Sequence, residues 1–362
     1  MPDSADTAPR VTSQIVEAKL QANRIFEEVV RDQSFQPVSQ HLPGANRFLR
    51  SAIVEALLSD AGKLGPAILS QGLKHNDEFV RQTAANALAS IDSQDAIDAL
   101  SAEVTIGNVH YCASSIRALG KMRSKEASSA LISQLALSNV HIRLVTVEAL
   151  AHYKNPDATR PLIKLLRDRD YNVRKAVIVT LGKIGDPRAA APIMTSVSHN
   201  DICPIDAVVE SLGNIGNVSA VGFVCSVLST RGEVARSAAA EALGKLRHDG
   251  SVQSLCKAIR DPSSNVRRKA VEALSRIQSR DSIPALKARL TLLGREPNSE
   301  IRSEITKLLA VLDPPALRTS KLPRAVERDT PKPESRPRPH NAATKPEARP
   351  RIIEEPKHDM DD

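Results

Sequence analysis

Apolar positions along this chain return at one fixed interval. A leucine stands at Leu57, Leu88, Leu119, Leu150, Leu181, Leu212, Leu243 and Leu274, each 31 residues after the last, and again at Leu309. A second apolar column runs in step: Leu69, Leu100, Leu131, Leu162, Ile193, Val224, Leu255 and Leu286. Seven residues before each leucine of the first column comes Arg50, Arg81, Cys112, Arg143, Arg174, Ile205, Arg236, Arg267 and Arg302. The last step is 35 residues, which puts an insertion of about four near Gly294-Arg295-Glu296-Pro297. Self-similarity at a period of about 20–50 residues predicts a solenoid of stacked supersecondary units.

Each unit reads as two helices. Pro161 to Leu166 exemplifies the first. The second runs from Val173 to Ile184, where Val173, Val177, Leu181 and Ile184 share one buried face. Gly185-Asp186-Pro187 then breaks the chain, and proline suits the first turn of the helix that follows. Asn172, Asn265 and Asn298 lie near second-helix starts, where a short polar side chain caps free N–H groups. Nothing in the units alternates with period two, so the expected fold is all-α: a superhelical α-solenoid of about nine two-helix repeats.

The ends read differently. Thr12 to Asp32 is an amphipathic helix with Ile15, Ala18, Ala22, Ile25, Phe26 and Val29 on one face. It is placed to cover the open end of the stack. Ser34 to Asn46 reads as a loop with Pro37 and Pro43. The expected organisation is therefore a disordered start and capping helix over 1–46, a solenoid over 47–312 and a tail over 313–362. The tail holds ten of the 23 prolines and 11 Lys and Arg against 10 Asp and Glu. That is a disordered polyampholyte, with Arg351-Ile352-Ile353-Glu354-Glu355 its one apolar island near the end, either a short docking motif or plain tail.

Composition narrows the function classes. Of 362 residues only 2% are aromatic, with no Trp, which argues against stacking of bases or caging of cations on rings. No run approaches the roughly 18–20 apolar residues of a membrane span, and the first ten residues lack a signal-peptide core, so the expected location is cytoplasmic. The four cysteines make no disulfide framework. Net charge is +8. Clusters such as Arg267-Arg268-Lys269 would attract an acidic partner or a nucleic-acid backbone.

The stretch Val173-Arg174 … Val177 … Leu181-Gly182-Lys183-Ile184-Gly185-Asp186-Pro187-Arg188-Ala189 resembles the short HEAT-like repeat of the phycobilisome bilin lyases. The resemblance covers most of 47–312. It implies that the Val-Arg helix is the inner one and lines the concave face. It also implies that the recurrent arginine is structural, paired with an acid at the preceding turn; Asp77, Asp170 and Asp261 stand four, four and six residues before Arg81, Arg174 and Arg267. The same repeat serves lyases, hydroxylases, DNA-repair proteins and adaptors, so it does not name a function.

Chemistry is sparse. The iron-binding hydroxylases of this repeat type use paired His-Glu dipeptides, and this chain has none. There is no C-x-x-C or H-E-x-x-H for zinc and no P-loop. No catalytic residue, cofactor or metal site is expected. His110, Tyr111, Cys112 and His141 are weak candidates for a ligand patch, with exposed polar helix ends as the plainer reading. The inner helices carry two columns, one through Arg117, Glu148, Glu210, Glu241 and Glu272, the other through Lys121, His152, Lys183, Lys245 and Arg276. They form either a solvated face or a mixed-charge groove for a protein partner, with Glu241–Lys245 and Glu272–Arg276 as i,i+4 pairs. The acids interrupt any continuous basic face, which weighs against nucleic acid.

The leading expectation is a non-enzymatic interaction scaffold or regulatory adaptor that holds a partner protein along the concave face. A bilin-lyase-type subunit or phycobiliprotein-handling protein, and a nucleic-acid-binding protein, are the alternatives.

Overall fold

The computed structural model describes residues 7–105, 109–198, 204–230, 232–291 and 296–314. Side chains of 7–11, 105, 109–111, 198 and 230 are outside that description, as are the tail beyond Pro314 and the inserted Gly294-Arg295.

The helices in chain order are α1 (Thr7–Asp32), α2 (Gln36–His41), α3 (Arg47–Ser59), α4 (Ala61–Gly72), α5 (Glu78–Ile91), α6 (Gln94–Thr105), α7 (Val109–Lys121), α8 (Lys125–Gln134), α9 (Val140–Tyr153) and α10 (Thr159–Lys164). They continue with α11 (Tyr171–Ile184), α12 (Ala190–Ser198), α13 (Ile205–Ile215), α14 (Val221–Thr230), α15 (Glu233–Leu246), α16 (Val252–Ala258), α17 (Ser264–Ile277), α18 (Ile283–Leu290) and α19 (Ser299–Leu312). Consecutive odd-numbered helices from α3 stack as one layer and the even-numbered ones as a second, an all-α solenoid of nine helix pairs from α2–α3 to α18–α19. The described residues include no strand and no helix long and apolar enough to cross a membrane.

The apolar columns are the core. Leu57 to Leu274 of the first column are all buried, as is the whole second column from Leu69 to Leu286. Burying each such side chain contributes about 1.5–3 kcal/mol, and repeats stacked this way share one continuous interior. At the start, α1 lays Ala18, Ala22, Ile25 and Val29 against that interior. At the finish, α19 buries Ile301, Ile305, Leu308 and Leu312 and turns Ser303, Thr306 and Ala310 to solvent.

The supposed loop at 34–46 contains a helix, α2. Phe35, Val38 and Leu42 sit at helical spacing and are all buried, and Pro37 occupies its first turn, where proline costs nothing. Two glycine roles carry structure. Gly185 ends α11 in the left-handed region at φ 76. A Cβ on Gly182 would lie 2.7 Å from the Ser211 Cα on the next inner helix. Such backbone-level contact joins the odd-numbered helices, while the outer ones are shorter and contact each other less. The odd-numbered helices are the Val-Arg helices, the layer that the repeat resemblance makes the inner, concave one.

The recurrent arginine works otherwise than the repeat resemblance implied. Asp77 and Asp170 do not pair with Arg81 and Arg174. They cap helices, Asp77 accepting from the Phe79 and Val80 N–H groups and Asp170 from those of Asn172 and Val173. Asn46, Asn139 and Asn298 cap from the same slot, four residues before the arginine. Asn172 and Asn265, expected as caps, lie inside their helices, and Ser263 caps α17 instead. A carboxylate held by two backbone donors at a helix N-terminus is already satisfied.

Each arginine instead ties down its own preceding loop. Arg81 Nη1 donates to the carbonyls of His75 and Asn76, both at 2.7 Å. Arg143, Arg174, Arg267 and Arg302 repeat the motif on the carbonyls six and five residues upstream. In Arg143, Arg236 and Arg267 the other edge of the guanidinium reaches forward into the next repeat. Arg143 grips Asp168 at 2.8 and 3.0 Å, Arg236 grips Asp261 at 2.7 and 2.9 Å, and Arg267 grips Glu296 at 2.8 and 2.8 Å. These are bidentate, charge-assisted pairs. Glu296 is fully buried and also accepts from Arg289 and the Asn298 N–H.

Where the arginine lapses, the acid lapses too. The residue 25 positions after Cys112 is Leu137, and the one 25 after Ile205 is Thr230. Arg50 meets no acid; it donates to the Pro43 carbonyl and stacks 4.8 Å over Phe79. No clamp acid is thus left in the interior without its cation. Breaking a buried pair from one side costs about 3–5 kcal/mol, whereas removing both sides is often nearly neutral. Arg143→Met or Asp168→Leu alone is therefore expected to destabilise by about 3–5 kcal/mol, and the double variant by much less than the sum. Urea unfolding of the four proteins checks this, and additive losses would contradict it.

The clamps also set acid sensitivity. Burial pushes the Asp168, Asp261 and Glu296 carboxyls up, but the hydrogen bonds from Arg143, Arg236 and Arg267, together with those from the Asp170, Ser263 and Asn298 N–H groups and the arginine charges, hold them below their ordinary 3.8, 3.8 and 4.5. Arg188 holds Asp186 down to about 2. A depressed folded pKa gives stability that is present above the unfolded value and is lost as pH falls through the folded one. Tm is expected to be flat down to about pH 5 and to drop between about pH 5 and 2. Asp168→Leu on the Arg143→Met background should flatten part of that drop in a pH series of thermal melts.

Candidate partner-binding groove

The groove residues all lie on inner helices. Arg117 and Lys121 are on α7, Glu148 and His152 on α9, Lys183 on α11, Glu210 on α13, Glu241 and Lys245 on α15, and Glu272 and Arg276 on α17. Helix geometry puts them there. The first column stands five residues after the arginine slot and the second nine, so the two lie one turn apart on the side away from the buried Leu.

The structure divides these residues into two sets. From α15 onward the charges are joined to each other. Glu241 pairs with Lys245 at 3.4 Å and with Lys269 at 3.0 Å, and Lys269 also reaches Glu272 at 3.2 Å. Lys269 holds the Glu241 carboxyl below the usual range, and Glu241 in turn raises Lys269. The expected Glu272–Arg276 pair does not form, because Glu272 is taken by Arg268 at 2.9 Å and by Lys269. Arg276 stays exposed.

From α7 to α13 the charges stand apart. Arg117, Glu148, Lys183 and Glu210 are exposed, and none has an ion-pair partner among the described residues. Lys121 donates to the Asn86 amide oxygen of the neighbouring repeat at 2.8 Å, and Lys245 does the same to Asn214 at 3.0 Å. His152 is exposed beside them. Val179 interrupts the first column and is half-buried.

The weaker candidates do not converge. Cys112 is fully buried, and its thiol donates toward the Glu103 and Val104 carbonyls of α6 at 3.4 and 3.6 Å, away from the inner edge. Its slot is the clamp slot, where the side chain points into the stack. His141 is exposed at the start of α9; the His110 and Tyr111 side chains lie outside the described residues. Among the described residues, no three His, Cys, Asp or Glu side chains gather as metal ligands. The Arg267-Arg268-Lys269 cluster is neutralised residue by residue, by Glu296, Glu272 and Glu241.

Sequence reasoning missed one part of this face. Counting the four-residue insertion, the two columns continue to Lys307 and Val311 on α19. There α17 and α19 flank a half-open cavity of about 400 Å³, which Glu304 also lines.

Comparison with known proteins agrees with this architecture. Kap95p bound to RanGDP superposes with a TM-score of 0.54 at 14% identity, over 80% of this chain and 45% of that one. Importin beta gives 0.53 at 14%, over 82% and 47%; this chain thus spans about half the length of either. The CpcE–CpcF phycocyanin lyase of Nostoc sp. gives 0.30 at 23%, over 68% and 94%. No curated protein matches in sequence. The model for HEAT repeats matches residues 67–143, 128–203 and 226–310, more than half of the chain, which therefore belongs to the HEAT-repeat family.

Proposed function

We propose that this protein is a scaffold or adaptor that holds a partner protein along its concave face, without catalysis of its own. The observation that carries the reading is the set of exposed, unpaired charges of both signs on consecutive inner helices: Arg117, Glu148, Lys183 and Glu210. Charges left in water this way cost the fold nothing and are free to steer and register a complementary surface. The mixed sign supports a protein partner over a polyphosphate, which would be repelled by Glu148 and Glu210. The saturation of Arg267, Arg268 and Lys269 by acids supports the same choice. Kap95p, of the same fold, has RanGDP as a partner, which is in keeping with this use of the solenoid.

The test uses the full chain as bait in quantitative affinity capture from its source cells. Lys183→Glu with Glu210→Lys reverses the inner face at sites with no internal pair. Lys164→Glu with Arg167→Glu, both exposed on the outer layer, is the control. Specific partners are expected to fall at least about tenfold with the inner variant, as for loss of paired interfacial charges, and to persist with the outer one. An identical partner set for all three baits would defeat the groove reading.

A further inference from the structure

At the C-terminal end of the inner face, one carboxylate is left unserved. Glu304 lines the cavity between α17 and α19. Its Oε2 is closed off from solvent and accepts no hydrogen bond; no other carboxylate oxygen among the described residues is in that state. The clamp acids Asp168, Asp261 and Glu296 are all matched by guanidinium donors. Nearby Glu272 is satisfied by Arg268 and Lys269, so it offers Glu304 only repulsion. Burial first, then Glu272, push the Glu304 carboxyl above its ordinary range, against the pull of Arg268 and Lys307. A buried acceptor without a donor is costly, and the cost is removed when a donor arrives.

The rest of the cavity says which donor. Val271, Leu308 and Val311 supply apolar lining, and Val311 is 64% exposed although apolar. An apolar channel leading to a carboxylate matches a side chain with a methylene stem and a cationic head. Arg276 and Lys307 also line the cavity, yet neither donates to Glu304 Oε2; a purely apolar group would leave that oxygen without a donor, and an anion would be repelled by it.

We infer that this cavity is a socket for a lysine or arginine side chain of the partner, its stem on Val271, Leu308 and Val311 and its head on Glu304. The socket deepens the groove reading and rests on it, because Glu272, Arg276, Lys307 and Val311 continue the same two columns. It gives the partner one anchored basic residue at the end of a face that otherwise reads charge at exposed, solvated positions.

The experiment is a titration of the full-length protein, methyl-labelled at Val and Leu, followed by NMR. The probes are N-acetyl-arginine amide and N-acetyl-lysine amide, with N-acetyl-norleucine amide and N-acetyl-glutamate amide as controls. The cationic probes are expected to shift the Val271, Leu308 and Val311 methyls saturably, and the controls are not. Glu304→Gln keeps the shape, leaves methyls of distant repeats unchanged, and should weaken the cationic probes about tenfold, the size of one charge-assisted hydrogen bond. Norleucine shifting these methyls as strongly as arginine, or Glu304→Gln leaving arginine binding intact, overturns the socket. Failure of the two readings is separable. Partners that survive inner-face reversal, with the socket still binding arginine, remove the groove reading alone. Partners that depend on the inner face, with no response to arginine, remove the socket alone.

Discussion

The arginine at the head of each inner helix is the interaction on which the stack depends. Where it is present, one guanidinium edge holds carbonyls of its own loop, and in Arg143, Arg236 and Arg267 the other reaches an acid in the following repeat, as Arg143 does with Asp168. Apolar burial is non-directional and would tolerate some sliding of one repeat on the next. A planar fork with five donors does not. The clamp therefore fixes the register that the leucine columns fill. It acts at the loop edge, leaving the exposed inner face free to vary.

That geometry explains the lapses. An isolated buried acid is far worse than none, and the two repeats that lack the arginine lack the acid as well. The residues 25 positions after Cys112 and Ile205 are the uncharged Leu137 and Thr230. Arg267 is the opposite extreme, closed around a Glu296 that also takes Arg289. The four-residue insertion lies inside this pair, which is why its spacing is 29 where the others are 25. Junctions differ in what locks them although the leucine pattern is uniform.

Much of the fold was legible because burial imposes periodicity. The leucine columns, the inner and outer helices and the close-packing Gly182 all announce themselves as repeating residue types. The clamp partner was hidden for a physical reason. An acid four residues before an arginine is the natural reading for one helix, but at Asp77 and Asp170 the free N–H groups of the helix end are nearer and stronger claimants. For Arg143, Arg236 and Arg267 the acid stands one repeat away, at a spacing that only the stack brings together. Helix α2 was missed because Pro37 and Pro43 read as breakers, although Phe35, Val38 and Leu42 already carried a buried face.

The inner face was legible only as a set of positions. Sequence placed Glu272 and Arg276 as a pair, but pairing depends on which cation arrives first, and Arg268 from the preceding turn with Lys269 occupies Glu272. That competition has a consequence along the whole groove. Where α15 and α17 satisfy their charges internally, a partner would gain little by approaching, since each contact would displace an existing one. Where α7 to α13 leave Arg117, Glu148, Lys183 and Glu210 in water, each contact is a net addition limited only by desolvation. On the proposed reading, recognition along this face is set less by which charges the repeats carry than by which of them the repeats leave unspent.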